Sequence, residues 1–228
     1  MLEFLVLLIL ISILICVIKL EKRKPSAAEL KGLDGERKVN DILKQHKLLY
    51  FHDTLLKKGS VTSQFDQIIV LPNKTILVIE TKNKDGIITG YSSDEKWLQI
   101  IGKNRYYFYS PVLQNEGHIK MLYKKMDEYH LYGYKVLSLV VFTSERCKLE
   151  DVPSGVIHIN ELSSTLRYLN KKALFNRSRK FVRMLIKEDL SKKRNEVKKH
   201  KEFVKRVPHH KKTTFWVKVV FNVYEYDY

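Results

Sequence analysis

The chain has 228 residues, enough for one domain with appendages, and its 44% hydrophobic content is sufficient for a packed core, which excludes an intrinsically disordered chain. The net charge of +17 indicates a polyanionic partner, either nucleic acid or an anionic membrane surface, and does not choose between the two. The only cysteines are Cys16 and Cys147, which excludes a disulfide framework and a cysteine-rich zinc site.

The chain begins with an apolar run, Leu2 to Ile18, in which Glu3 and Ser12 are the only polar residues. As a helix this run would extend roughly 26 Å, just enough to cross the hydrocarbon core of a bilayer. No basic residue precedes the run and no A-x-A-like site closes it, so an uncleaved anchor is favoured over a signal peptide. We predict a transmembrane anchor at residues 1–20. The basic linker that follows, residues 21–27, predicts that the rest of the chain faces the cytoplasm.

A helix is predicted next, from about Glu36 to His46, with Val39, Ile42 and Leu43 as its apolar stripe. Glu36 falls on or beside the buried face of this helix, where an unpaired carboxylate is costly. Taken alone, Glu36 is equally compatible with an acid in the first turn that the helix dipole favours. Its significance therefore depends on what it faces.

The segment from Asp66 to Lys82 predicts a β-hairpin. Two apolar runs flank a turn at Pro72-Asn73-Lys74, and the second run ends in Glu80, Thr81 and Lys82. Alternate side chains of a strand share a face, so Glu80 and Lys82 lie on the same side. An isolated E-x-K is more often a strand that ends at water, so other residues must support a functional site.

The rest of the folded region alternates between the two periodicities. Strands are predicted at Leu48–Leu55, Gly86–Tyr91, Lys96–Ile101, Arg105–Tyr109, Lys135–Thr143 and Val156–Ile159, and helices from Pro111 to about Tyr132 and from Asn160 to Leu169. This order predicts an α/β fold with a mixed central sheet flanked by helices. Gln114 and His118 share one face of the Pro111 helix, but His118 alone is typical of a partly buried structural histidine and is not assigned to the site.

Most of the excess positive charge lies in Lys171 to Lys212, which contains seventeen Lys and Arg against four Asp and Glu. Its weak helical periodicity predicts a basic helical or flexible tail, either simply solvated or binding nucleic-acid phosphates or anionic lipid headgroups. The final segment, residues 213–228, predicts a strand over Thr214 to Tyr226 that can form a sheet edge or contact another chain.

Five residues call for a common explanation: Glu36, Asp66, Glu80, Lys82 and Gln114. Metal-assisted phosphodiester hydrolysis is the chemistry that would use them. Asp66 and Glu80 offer the hard oxygen ligands that Mg²⁺, or Mn²⁺ in its place, requires. The metal would polarise a phosphate and activate a bound water, while Lys82 would orient that water or stabilise developing charge.

Several motifs resemble one known family. They are G-x-x-G-E at Gly32–Glu36, F-D-Q-I-I-V at Phe65–Val70, I-E-T-K-N at Ile79–Asn83, G-I-I-T-G at Gly86–Gly90 followed by Trp97, and S-P-V-L-Q-N at Ser110–Asn115. Together and in this order they look like the NERD, or nuclease-related, domain of the restriction-endonuclease-like PD-(D/E)xK superfamily. The resemblance spans about Ala28 to Phe142, and we place the domain at residues 28–170.

The resemblance implies a role for each site residue. Asp66 and Glu80 would bind the metal, Lys82 would be the catalytic lysine, and Glu36 and Gln114 would complete the site. One departure is Gln67, where the family more usually has a histidine after the aspartate. The metal ligands are intact, so this departure bears on local site geometry or substrate preference.

Three functions are compatible with these features. The leading hypothesis is a membrane-anchored, Mg²⁺-dependent or Mn²⁺-dependent nuclease that acts on nucleic acid, DNA before RNA, at the cytoplasmic face. The first alternative is a non-catalytic tether that holds nucleic acid or anionic lipid at the bilayer through the basic tail. The second keeps the nuclease fold as an interaction platform for other membrane proteins.

Overall fold

The computed structural model of the chain describes residues 25–170 and 178–206, together with the isolated positions 9, 11 and 12. The predicted anchor, residues 1–20, lies outside the described residues except for those three positions. The predicted strand at Thr214 to Tyr226 lies wholly outside them. Within the part of the chain that is described, no helix is both long and apolar enough to cross a membrane.

The described residues form five helices and nine strands. In chain order these are α1 (Ala27–Gln45), β1 (Leu49–Lys58), β2 (Val61–Val70), β3 (Thr75–Lys82), β4 (Gly86–Thr89), β5 (Lys96–Ile101), β6 (Asn104–Tyr109), α2 (Pro111–Glu128), β7 (Lys135–Phe142), β8 (Cys147–Leu149), β9 (Val156–His158), α3 (Ile159–Asn170), α4 (Arg179–Glu188) and α5 (Arg194–Arg206). The chain is therefore a mixed α/β protein, as the alternating periodicities predict.

A five-stranded mixed sheet, the main sheet, forms the centre of the fold. Its strand order is β1-β2-β3-β7-β9, with antiparallel pairing from β1 to β3 and parallel pairing from β3 to β9. The predicted hairpin is thus β2–β3, and β3 is the central strand. The carboxyl end of β3 lies beside that of its parallel neighbour, with Lys82 paired to Phe142.

A second sheet corrects the prediction of one central sheet. Its order is β6-β5-β4-β8, antiparallel except for the parallel pair β4–β8. Periodicity predicts β4, β5 and β6 as strands but does not say which strands they pair with. The three-residue strand β8 is not among the predicted strands. Trp97 of β5 and Phe142 of β7 share one buried cluster that joins the two sheets.

The first helix begins earlier than predicted. Ser26 and Glu29 form a reciprocal capping box: Ser26 Oγ accepts from Glu29 N at 3.2 Å, and Glu29 Oε2 accepts from Ser26 N at 2.7 Å. This arrangement satisfies two backbone donors at the helix start, so α1 begins at Ala27 rather than near Glu36. Glu36 consequently lies in the middle of α1.

Helices cover both faces of the main sheet. On one face, α2 and α4 pack against β1, β2 and β3 through a cluster that includes Met121 and Phe181. On the other face, α1 and α3 pack against β2, β3 and β7 through a cluster that includes Val39 and Leu162. Each fully buried side chain of this size stabilises the fold by about 1.5–3 kcal/mol. The result is three layers, helix on sheet on helix, with β3 in the middle.

Part of the basic segment is packed into this core. In α4, Phe181, Met184 and Leu185 are buried in the cluster shared with α2. Their spacing is helical, and the opposite face of α4 exposes Ile186. The folded unit therefore continues past residue 170, where the predicted domain ends.

The last described helix, α5, contacts the β1–β2 pair beside the turn that joins the two strands. Lys57 Nζ of β1 forms an ion pair with Glu196 of α5 at 3.0 Å. Thr62 Oγ1 of β2 lies 2.8 Å from Nδ1 of His200, which is 9% exposed. Exposed Arg194 and Lys198 leave the outer surface of α5 strongly basic. The described part of the predicted tail is thus helical and docked on the domain.

A polar clamp fixes α4 to α2. Lys125 Nζ donates to Glu188 Oε2 and to Glu128 Oε2, both at 2.8 Å, and Tyr129 Oη donates to Glu188 Oε1. The Lys125 side chain is buried, so its charge needs these carboxylates. Lys125, followed by Tyr129, lowers the pKa of Glu188 below its ordinary range.

We expect Glu188→Gln to lower the free energy of unfolding at neutral pH by roughly 1–2 kcal/mol, because hydrogen bonds to a partly exposed charged group are lost. A lowered folded-state pKa stabilises the fold fully above the unfolded value of about 4.3 and progressively less as the pH falls through the folded pKa. Urea denaturation across this range should show the difference between wild type and variant shrinking in acid. A difference that stays constant with pH would contradict the clamp.

Candidate functional site

The end of β3 brings two opposite charges together in a nearly water-free position. Glu80 continues the face of Val78 toward α2, and its side chain is only 1% exposed. Lys82, two residues on, returns to the same face and donates from Nζ to Glu80 Oε1 at 2.5 Å. The predicted sharing of one strand face by Glu80 and Lys82 is therefore present as a direct ion pair.

Asp66 reaches the same edge from β2. Gln67 pairs with Ile79 in the antiparallel register, so the preceding residue, Asp66, is carried opposite Glu80. Asp66 Oδ2 accepts a hydrogen bond from the Thr81 backbone N–H at 2.8 Å. The β2–β3 register thus places both predicted metal-binding acids at one end of the main sheet.

Helix α2 approaches the ion pair from one face of the sheet. Gln114 Oε1 accepts from Lys82 Nζ at 3.1 Å, so the ammonium is held between Glu80 and Gln114. The next residue, Asn115, is fully buried, and its Nδ2 donates to Val78 O at 3.1 Å and to Ser138 Oγ at 2.8 Å. Asn115 therefore anchors the start of α2 on β3 and β7 and fixes the position of Gln114.

His118 also contacts the site, although sequence analysis leaves it out. Its Nε2 lies 3.2 Å from Glu80 Oε2 without the alignment of a hydrogen bond, and its Nδ1 lies 2.6 Å from Ser63 Oγ. Its ring packs on Phe65, with centroids 5.1 Å apart. The i, i+4 spacing from Gln114 was the signal that both side chains face β3.

Helix α1 supplies Glu36 from the other face of the sheet. The preceding residue, Gly35, allows a close approach: a Cβ there would lie 2.6 Å from Thr143 Oγ1 and 2.9 Å from Asn83 Cβ. Asn83 Nδ2 donates to Lys31 O at 2.7 Å, which ties the chain after β3 to α1. Glu36 is therefore positioned by backbone packing rather than by an ion pair of its own.

All five predicted site residues line one cleft of about 470 Å³. Gly32, Thr81 and Asn83 of its wall belong to the motifs quoted above without a predicted role, whereas Ala28, Lys31, Lys84 and Gln99 belong to none of them. The lining residues are Ala28, Lys31, Gly32, Glu36, Asp66, Glu80, Thr81, Lys82, Asn83, Lys84, Gln99 and Gln114. The cleft thus lies between α1, the end of β3, the start of α2 and the second sheet, and it combines three acids with three lysines.

The two acids opposite each other respond differently to this environment. Burial raises the pKa of Asp66 well above its ordinary value, and the neighbouring Glu80 carboxylate raises it further. Burial alone would also raise the pKa of Glu80, but Lys82 and then His118 outweigh it, so the pKa of Glu80 is lowered. Glu80 is therefore the acid that carries the stable negative charge.

The remaining titratable groups follow the same balance. Burial by itself would lower the pKa of Lys82, but Glu80 and Asp66 raise it above its ordinary value, so this lysine stays an ammonium. Burial, followed by repulsion from Asp53 and Glu80, raises the pKa of Glu36. Burial and the neighbouring Lys82 lower the pKa of Lys84.

The two acids present carboxylate oxygens at one edge of the cleft. Glu80 Oε2 is buried and faces His118 Nε2 at 3.2 Å, and burial, followed by the Glu80 carboxylate, raises the pKa of Asp66. In residues 25–170 and 178–206, however, no group of three or more His, Cys, Asp or Glu side chains is arranged to hold a metal ion. Any cation here would need ligands beyond the two carboxylates.

Comparison with known protein families finds a match over the part of the chain that contains the cleft. The family model of the nuclease-related domain, NERD, matches residues 31–143, which include every predicted site residue. The chain belongs to the NERD family. The main sheet, with helices on both faces, fits the restriction-endonuclease-like superfamily in which NERD is placed.

A relative of this NERD protein is an uncharacterized protein of Bacillus anthracis, 32% identical over 120 residues. The match covers 50% of this chain and 55% of the relative, so the chain spans about half the length of the curated relative it matches. No solved structure matches the chain.

The Gln67 departure from the NERD pattern lies beneath the cleft. Gln67 is fully buried, and its Oε1 accepts from Thr81 Oγ1 at 2.9 Å, while its Nε2 has no hydrogen-bond partner among the described residues. The side chain points away from Asp66 along the strand alternation, since neighbouring residues face opposite sides. In this chain, Gln67 supports Thr81 from below and does not line the cleft.

Gly35→Ala should destabilise the domain by about 1–3 kcal/mol, because the added methyl group forces α1 away from Asn83 and Thr143. The matched control is Gly32→Ala in the same helix, where nothing lies within 4 Å of the added Cβ. That variant should be neutral or stabilising by up to about 1 kcal/mol, since alanine favours helix. Equal denaturation midpoints for the two variants would contradict the close packing of α1.

Proposed function

We propose that this NERD protein is a divalent-metal-dependent nuclease that hydrolyses phosphodiester bonds of nucleic acid, with DNA favoured over RNA as the substrate. The observation that carries the proposal is the convergence of Asp66, Glu80 and Lys82 at one sheet end, where the buried carboxylate of Glu80 lies between Lys82 and His118. Two acids and a lysine are poorly placed there for packing and well placed for phosphoryl chemistry.

Asp66 and Glu80 are the residues that would hold the cation, Mg²⁺ or Mn²⁺. Two carboxylates suffice because Mg²⁺ commonly takes one or two from the protein and completes its shell with water and phosphate oxygens. A cation would also offset the repulsion from Glu80, which after burial is the second cause of the raised pKa of Asp66. When bound, such a cation polarises a phosphate oxygen and lowers the pKa of a coordinated water.

Lys82 is the group most directly placed to stabilise charge. Its ammonium is fixed between Glu80 and Gln114 before any substrate arrives, so little reorganisation accompanies binding. From this position Lys82 can donate to a phosphoryl oxygen or to the attacking water. Gln114 acts through Lys82 by orienting its Nζ.

Glu36 forms the opposite wall of the cleft and completes the polar set. With its pKa raised chiefly by burial, it holds a proton more readily than an ordinary glutamate. It can therefore exchange a proton with a water or a leaving oxygen in the cleft.

We further propose that the nuclease is held at the cytoplasmic face of a membrane. The support is the apolar run from Leu2 to Ile18 and the basic flank that follows it. Recovery of the full chain from the membrane fraction by detergent, and not by alkaline carbonate, is the expected result. Release by carbonate alone would contradict the anchor.

Glu80→Gln and Lys82→Met should each reduce metal-dependent cleavage by at least about 100-fold, because each removes a charge that acts on the reacting phosphate. The assay uses the full chain in detergent on plasmid, linear duplex, single-stranded DNA and RNA, with Mg²⁺, with Mn²⁺ and with a chelator. Chelation should abolish cleavage in the wild type. Thermal melting of each variant shows whether the fold is retained.

The matched control is an exposed ion pair of the same two residue types, also two positions apart but with the lysine first. Lys148 lies on β8, Glu150 follows that strand, and their charged groups are 2.6 Å apart. Lys148→Met and Glu150→Gln change the same chemical groups outside the cleft and should leave cleavage unaltered. Absence of cleavage on every substrate, or equal loss in site and control variants, would overturn the nuclease proposal.

The same preparations test the tether alternative. Because α4 belongs to the core, removal of the whole basic segment would unfold the domain, and charge removal on α5 is the cleaner change. Arg194→Gln with Lys198→Gln neutralises two exposed cations there. Salt-dependent nucleic-acid binding that this double variant abolishes, with no cleavage by the wild type, would favour the tether.

A further inference from the structure

The β5–β6 hairpin of the second sheet turns one of its faces toward the cleft. Gln99 of β5 lines the cleft and pairs directly with Tyr106 of β6, while Trp97 pairs with Phe108. Directly paired residues of antiparallel strands have their side chains on one face, with Cβ atoms about 4.5–5.5 Å apart. Tyr106 and Phe108 therefore lie on the face of the hairpin that Gln99 extends into the cleft.

The two aromatic rings on this face differ in exposure. Phe108 is half-buried against Trp97, with ring centroids 6.5 Å apart. Tyr106, further from the core, is 49% exposed and has no aromatic partner among the described residues. Successive side chains alternate, so Tyr107, which is 67% exposed, lies on the opposite face of the same strand. One tyrosine thus faces the cleft side and its neighbour faces away.

Lys84 connects this aromatic face to the site. Its Nζ lies 4.5 Å from the centroid of the Phe108 ring and 3.5 Å from Gln99 Oε1, and its side chain lines the cleft. Across residues 25–170 and 178–206, no carboxylate lies within ion-pair distance of Lys84, whereas neighbouring Lys31 is paired with Asp85 at 2.9 Å. Lys84 is therefore a cation at the cleft wall without an anion from the described chain.

We propose that Tyr106 and Lys84 form a binding strip for single-stranded nucleic acid, in which an unpaired base stacks on the Tyr106 ring and an adjoining phosphate contacts Lys84. The inference rests on the proposed nuclease function and names its substrate class. In a duplex the faces of the bases are covered by their neighbours, so an exposed tyrosine ring can stack only on a base that is free. The lysine at the cleft then directs the next phosphate toward Glu80 and Lys82.

The test measures binding without cleavage, by fluorescence anisotropy of a labelled oligothymidylate and of a matched duplex, with the full chain in detergent and a chelator present. Tyr106→Ala should weaken single-strand binding by about 5- to 150-fold, the range of one lost base stack, and leave duplex binding unchanged. Tyr107→Ala is the matched control and should change neither. Tyr106→Trp should bind the single strand about as well as the wild type does, because a base can stack on any aromatic face.

Lys84→Gln separates the phosphate contact from the stack. It should weaken single-strand binding and reduce the slope of log Kd against log salt concentration by about one. Tyr106→Ala should leave this slope unchanged. Equal effects of Tyr106→Ala and Tyr107→Ala, or equal loss of single-strand and duplex binding in Tyr106→Ala, would overturn the proposal.

The outcome can be told apart from the fate of the nuclease proposal. If Tyr106→Ala selectively loses single-strand binding and the wild type shows no metal-dependent cleavage, the binding strip is supported and the nuclease proposal is overturned. Metal-dependent cleavage that responds to Glu80→Gln, combined with single-strand binding indifferent to Tyr106→Ala, keeps the nuclease and overturns the strip.

Discussion

The buried ion pair between Glu80 and Lys82 is the interaction on which the rest of the site depends. A carboxylate that is 1% exposed at the end of a central strand needs a partner, and the nearest is the Lys82 ammonium 2.5 Å away, with His118 Nε2 at 3.2 Å. Replacing such a pair with well-packed apolar residues is often neutral or stabilising, so stability alone gives little reason for it. The proposed phosphoryl chemistry would give the pair a use, since that chemistry needs fixed charges beside a phosphate and a cation.

The three-layer architecture brings the other groups to that pair. The β2–β3 register carries Asp66 opposite Glu80, and α2, anchored by Asn115, delivers Gln114 from one face. From the other face, α1 approaches closely at Gly35 and delivers Glu36. Each element contributes one polar group to the same sheet end, while its apolar side builds the core. The packing that stabilises the layers therefore also sets the geometry of the cleft.

Much of this site could be predicted from sequence, because strand alternation and hairpin register are local properties. The shared face of Glu80 and Lys82 follows from a spacing of two, and the turn at Pro72 fixes which residues oppose each other. What could not be predicted depends on tertiary contact. The i, i+4 spacing puts His118 on the same helix face as Gln114. That this face meets Glu80, that α4 enters the core and that β4–β6 form a separate sheet all depend on contacts between residues distant in sequence.

Binding of a divalent cation by Asp66 and Glu80 can be measured by Mn²⁺ titration followed by electron paramagnetic resonance. The full chain should remove one equivalent of Mn²⁺ from the free-ion signal, and Mg²⁺ should compete for the same site. Asp66→Asn should abolish that binding, while Glu150→Gln, an exposed acid outside the cleft, should retain it. Undiminished Mn²⁺ binding in Asp66→Asn, or none in the wild type, would show that Asp66 and Glu80 do not form a cation site.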